Sequence, residues 1–125
     1  MWNSTIIGHI SQDASTKNLE SGNKVTEFSV ATNYFVKEGV EHVTFIRVTM
    51  WGEWAEKRLD KLQKGTKVCI NGQTHVREYT TKEGKPGCSV ELQVGSWRDI
   101  DVLLPPKDQR QGQQNSGQQQ KKGGW

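Results

Sequence analysis

In the stretch Val43–Gly52, VTFIRVTMWG, two large aromatics and an arginine stand among plain β-formers, at Phe45, Arg47 and Trp51. Successive strand side chains point to opposite faces. Val43, Phe45, Arg47, Thr49 and Trp51 therefore share one face, and Thr44, Ile46, Val48 and Met50 share the other. The second set is an aliphatic core face. The first set has a different chemistry, that of flat π-surfaces interleaved with a guanidinium. Every nucleobase has a π-face, and stacking on an aromatic side chain is worth about 1–3 kcal/mol per base. Arginine and lysine neutralise phosphates and release counterions. A duplex hides its base faces, so such a surface is expected to prefer single strands. Arg77 and Tyr79 add the same pair of residue types on a later strand, with Lys82 and Lys85 in the turn that follows. Tyr34 and Phe35 follow another strand-like run, where a splayed base could reach either, or either could instead close the end of the fold. Trp54 is a weaker candidate, and Trp2 and Trp97, at the ends of the domain, are expected to pack.

These side chains need elements to hold them. Thr5–Ile10 reads as a short strand, and QDASTKNLESGN after it is rich in turn formers. Lys24–Asn33 is strand-like, with Phe28, Val30 and Thr32 on one face, and Lys37-Glu38-Gly39 turns the chain into His42–Trp51. The period then changes. In EWAEKRLDKLQKG, Ala55, Leu59 and Leu62 recur at helical spacing, Glu53 and Lys57 form an i,i+4 pair, and Gly65 ends the helix. Thr66–Tyr79 returns to period two. It carries Val68, Ile70, Gly72, Thr74 and Val76 on a core face and Cys69, Asn71, Gln73, His75, Arg77 and Tyr79 on the other. TTKEGKPG reads as a flexible hairpin tip, and Cys88, Val90, Leu92 and Val94 face the core on the return strand. Trp97–Leu104 closes the domain without declaring its type. The order is three strands, a helix and two strands. It fits an all-β fold, the five-stranded oligonucleotide-binding barrel, with its helix between strands three and four. The predicted domain covers 1–104, and 105–125 is a Gln/Gly/Lys-rich tail expected to be disordered.

The totals restrict the alternatives. A chain of 125 residues is one domain with room for a modest core. Mean hydropathy is low at −0.79, but unevenly so: Gln109–Gly124 contains no aliphatic or aromatic residue. No apolar run approaches the roughly 20 residues of a membrane helix, and the start, MWNSTIIGHI, lacks the pattern of a signal peptide. A soluble, cytoplasmic, nucleoid-associated protein without a membrane partner is the expectation. Cys69 and Cys88 are too few and too distant for a disulfide framework or a metal site, and they read as reduced thiols. His9, His42 and His75 are evenly spaced, but their flanks do not repeat. Within 1–104 there are 13 Lys/Arg and 13 Asp/Glu, so the net charge of +3 lies wholly in the tail. The absence of HExxH, GxSxG and GxxxxGK[ST] motifs argues against an enzyme, and no cofactor or metal is expected. A barrel serving RNA or a protein partner is the rival class. RNA would use the same platform, whereas a protein partner would leave nucleic-acid affinity independent of Phe45 and Trp51.

From Ile6 to Leu104 the chain resembles the bacterial single-stranded DNA-binding proteins. The segments that carry the likeness are GHISQD, FSVATN, FIRVTMWGEWAE, LQKGTKVCINGQ and REYTTKEGK, in that order. The resemblance implies a homotetramer of oligonucleotide-binding barrels, around which single-stranded DNA wraps during replication, recombination and repair. It also implies stacking roles for Phe45, Trp51 and Tyr79, and for Tyr34 or Phe35 near a further stacking position. Tyr79 stands where the family often has the larger Trp. The ending QQQKKGGW has no acidic residue, so recruitment of replication or repair proteins through an acidic tip does not carry over. Lys121 and Lys122 are expected to meet DNA phosphates or an acidic protein surface instead.

Overall fold

The computed structural model describes residues 1–106; the expected tail beyond Pro106, with Lys121 and Lys122, lies outside the described residues. Six strands form one sheet: β1 Asn3–Asn18, β2 Lys24–Lys37, β3 Val40–Trp51, β4 Lys67–Thr80, β5 Pro86–Val94 and β6 Ile100–Leu104. Their order is β1-β2-β3-β5-β4-β6, and a further β1–β4 pairing closes the first five into a ring. Gln73 on β4 pairs with Asn3 of β1 and with Gln93 of β5, so β5 runs along the edge of β4 opposite β1. β6 continues along that same edge, pairing Ile100 with Ile70. The all-β barrel expected from the sequence is therefore the fold.

Closure depends on β1 serving two partners. Asn3–His9 pairs with β4 and His9–Asn18 with β2, with register irregularities between Ile10 and Ser15. The backbones crowd at this change of partner: a Cβ on Gly8 would come within 2.3 Å of the Ala31 carbonyl oxygen. Inside the ring lie Ile10, Phe28, Val30, Ile46, Val48, Met50, Val68, Ile70, Leu92 and Val94, with Ala55 and Leu62 from the segment after β3. These are the inward members of each alternating run.

Three local expectations are corrected, and one open segment gains a type. β1 does not stop at Ile10 but runs to Asn18, because irregular pairing to β2 absorbs the turn formers. The helix after β3 is a 3-10 helix, Glu53–Lys61, interrupted at Arg58 (φ −129, ψ 33). Ala55 and Leu62 are buried as the spacing requires, but Leu59 is only partly covered. Trp97–Leu104 resolves into a one-turn 3-10 helix, Trp97–Asp99, and β6. Thr44, Val76 and Cys88, placed on core faces by alternation, are exposed. They lie on parts of β3, β4 and β5 that have run past the end of the barrel, where no opposite wall remains.

Candidate nucleic-acid interface

β3 and β5 are parallel, in register from Ile46↔Val90 to Met50↔Val94. Each begins at a hairpin tip, so the β2–β3 and β4–β5 ribbons project from the same end of the barrel. The two 3-10 helices follow the other ends of β3 and β5 and close the opposite end.

Residues opposite one another in a sheet share a face, so the register assigns each candidate. On the outward face, Ala31 pairs with Phe45, Ser29 with Arg47, and Val25 with Trp51. Phe35 pairs with Glu41 and falls on this face, near the ribbon tip. Tyr34 pairs with His42 on the reverse face, where the rings stack at 5.5 Å and 17°. The two residues left open by the sequence are thus separated: Phe35 joins Phe45, Arg47 and Trp51, and Tyr34 does not. Across β5, Arg47 stands level with Glu91, and Glu91 with His75 on β4. Arg77 and Tyr79 continue the same face toward the second ribbon, where Lys82 and Lys85 occupy the turn beyond Thr80. Phe45 and Trp51, six residues apart on one strand, are separated by about 20 Å.

Exposure separates platform from packing. Phe45 is 64% exposed, Trp51 48% and Tyr79 43%, unusual for large aromatics on a regular strand. Trp54 is spent on structure: its Nε1 donates to the Trp51 carbonyl at 2.7 Å, and its ring meets Trp97 edge-on at 5.7 Å. Trp97 in turn donates to the Trp54 carbonyl at 2.8 Å and lies under the Arg58 guanidinium. Trp97 therefore packs as expected, while Trp2, expected to pack, is more than half exposed. Tyr79 lies across Gly87, where a Cβ would come within 2.7 Å of the ring, and the Arg77 guanidinium sits 5.7 Å from the ring centroid. Only a glycine at 87 lets the ring lie this low.

The charges on this face are paired. Arg47 donates to Glu27 through Nε at 3.0 Å and Nη2 at 2.5 Å. Arg77 Nε donates to Glu91 Oε2 at 2.9 Å, and His75 Nε2 lies 2.9 Å from Glu91 Oε1. Burial against the sheet pushes the Glu91 carboxyl up, but the hydrogen bond and charge of Arg77, with His75 beside it, hold it below the usual carboxylate range. Lys24, at the start of β2, is raised by its hydrogen bond to Glu56. Sequence reasoning passed over Glu27 and Glu91. The signal was present, since each occupies an outward position in its own alternating run, TEFSV and SVELQ. Among the described residues there is no cluster of His, Cys, Asp and Glu able to hold a metal ion, and no helix is long and apolar enough to cross a membrane.

The Single-strand binding protein family matches residues 1–100. The chain belongs to this family. It is 33% identical to a single-stranded DNA-binding protein of Paenarthrobacter nicotinovorans, over 90% of this chain and 71% of that protein. A single-stranded DNA-binding protein of Paenarthrobacter aurescens is 30% identical, over 90% of this chain and 73% of its own length. Among solved structures, the chain is similar to a Plasmodium falciparum SSB in complex with single-stranded DNA. That likeness has a TM-score of 0.63 and 26% identity, covering 82% of this chain and 92% of the other. The likeness to a single-strand binding fold thus extends over the whole barrel and both ribbons.

Proposed function

We propose that this chain binds single-stranded DNA along the outward face of β3, β5 and β4 with little sequence preference, shielding the strand and holding it open during replication, recombination and repair. The observation that carries the reading is the exposure of Phe45, Trp51 and Tyr79 on one continuous face, interleaved with Arg47 and Arg77. Phe35 extends the platform at the tip of the first ribbon, and Lys82 and Lys85 supply charge at the second. Tyr34 meets a strand only if the DNA wraps around the first ribbon to its reverse face. Family membership and the DNA-bound relative support the same reading.

Binding involves no chemistry on the strand. Stacking takes up unpaired bases and arginines take up phosphates, so hairpins melt by mass action on the open form. The protein acts as a homo-oligomer, a tetramer by family resemblance, with residues 1–104 as the binding domain and 105–125 as an appended tail. Competition binding tests the reading: a labelled oligonucleotide should be displaced by unlabelled single strand and not by the matched duplex. Phe45→Ala/Trp51→Ala should weaken the complex while leaving the fold intact. Equal competition by duplex, or full affinity in the double variant, would instead make this face an interface for a protein partner. Truncation after Pro106 tests the tail, whose lysines should contribute to affinity and to its salt dependence.

A further inference from the structure

Two arginines assigned to phosphates are already engaged by carboxylates of their own sheet. Glu27 on β2 meets Arg47 on β3, diagonally across the Glu27↔Thr49 and Ser29↔Arg47 pairs. Glu91 on β5 stands level with Arg47 on one side and His75 on the other, and meets Arg77 on β4 diagonally. The charges alternate across four neighbouring strands as minus, plus, minus, plus. The carboxylates sit low and the arginines stand high: Glu91 is 14% and Glu27 22% exposed at the side chain, against 51% for Arg77 and 44% for Arg47. Both Glu91 oxygens are occupied, one by His75 and one by Arg77, with Ser89 Oγ 3.4 Å from the second.

We propose that Glu27 and Glu91 are built-in counter-ions of the DNA-binding face, which phosphates must displace from Arg47 and Arg77 as the strand settles. This rests on the reading that those arginines meet phosphates. A carboxylate and a phosphate compete for the same guanidinium fork. The arginine ends of both pairs are about half exposed, where ion pairs contribute little to stability, so a phosphate can take the guanidinium at small cost. The arrangement holds each side chain extended over the sheet before DNA arrives. It also sets the affinity below what two free arginines would give, and makes binding less sensitive to salt than a basic face would be. Glu27 and Glu91 are positioning residues whose charge is the adjustable quantity; they do not themselves touch DNA.

The test uses the full chain and an oligo-dT probe, with equilibrium affinity measured over a series of salt concentrations. Replacing a glutamate with glutamine keeps hydrogen-bonding oxygen and shape but removes the charge. Glu27→Gln/Glu91→Gln should bind more tightly at low salt. Its log–log salt slope should steepen by about 0.7 for each arginine freed, so its advantage over the wild type should shrink about sevenfold between 50 and 200 mM salt. Arg47→Ala/Arg77→Ala, measured alongside, should bind more weakly with a flatter slope. If the arginine variant weakens binding but the glutamine variant binds no more tightly, the counter-ion role is overturned and the DNA reading stands. If the arginine variant binds normally, the assignment of these arginines to phosphates fails, and the counter-ion proposal falls with it. The single variants Glu27→Gln and Glu91→Gln keep the test open should the double variant unfold.

Discussion

The barrel and the two ribbons that rise from it are built from the same strands, yet they obey different rules. Within the barrel, β3 buries Ile46, Val48 and Met50 in one cluster with residues of β1, β2, β4 and β5, and alternation separates inside from outside. Four residues toward the tip, the same alternation continues through His42 and Thr44, but both faces meet solvent. Phe35, Val36, Val43 and Phe45 are all about half exposed or more. A sheet that spends apolar and aromatic surface in this way gains nothing for its own stability. Under the proposed function, that surface is kept for single-stranded DNA.

Truncating one large side chain in each region separates the two roles most strongly. Leu92→Ala, in the buried core, should cost about 2–5 kcal/mol of unfolding free energy, read by denaturant melts. Once folded, that variant should keep its DNA affinity. Phe45→Ala should do the reverse. Its melting should shift little, whereas loss of about 1–3 kcal/mol of stacking lowers affinity roughly 5- to 150-fold. A Phe45 variant that unfolds with unchanged affinity would place Phe45 with the core.

Smaller effects sharpen the same contrast at the second ribbon. Gly87→Ala lifts the Tyr79 ring off the strand, because the added Cβ would lie 2.7 Å from it. Affinity should fall, by less than in Tyr79→Ala, and the two substitutions together should not add. Additive losses would show that Gly87 matters for some reason other than seating Tyr79.

The least of the expected effects concerns pH. The folded-state pKa of Glu91 is depressed, because Arg77 and His75 outweigh the cost of its burial. Its stabilising contribution is present above its unfolded pKa of about 4.3 and is lost as pH falls through the lower folded value. The wild type should therefore lose more thermal stability on acidification than Glu91→Gln. Equal acid sensitivity would show that this pair does not contribute to the stability of the second ribbon.

The difference between the regions also explains what could be read from the sequence. Period two on β3 and β4 placed Phe45, Arg47, Trp51, Arg77 and Tyr79 on one face, because a pleated strand leaves a side chain only two choices. Alternation does not say whether a face is covered. Val76 and Cys88 look like core residues, and they would be if the barrel extended to them. Sequence alone does not separate Tyr34 from Phe35; the register across β2 and β3 does, since a one-residue difference decides the face. Helical spacing found the buried Ala55 and Leu62 but could not distinguish a tight 3-10 coil with a break at Arg58 from an α-helix. Glu27 and Glu91 were visible as outward residues. Their meaning came from neighbours 20 and 14 positions away, which only the folded sheet brings within 3 Å.

The central claim is that the open aromatic face is a platform for unpaired bases, and intrinsic tryptophan fluorescence reads it directly. Trp51 is half exposed on that face, whereas the neighbouring Trp54 and Trp97 are packed edge-on against each other and hydrogen-bonded to backbone carbonyls. Titration with oligo-dT should quench the emission deeply, a matched duplex should not, and Trp51→Phe should remove most of the quenching. A folded protein whose emission ignores the single strand, or whose quenching survives intact in Trp51→Phe, would contradict the account.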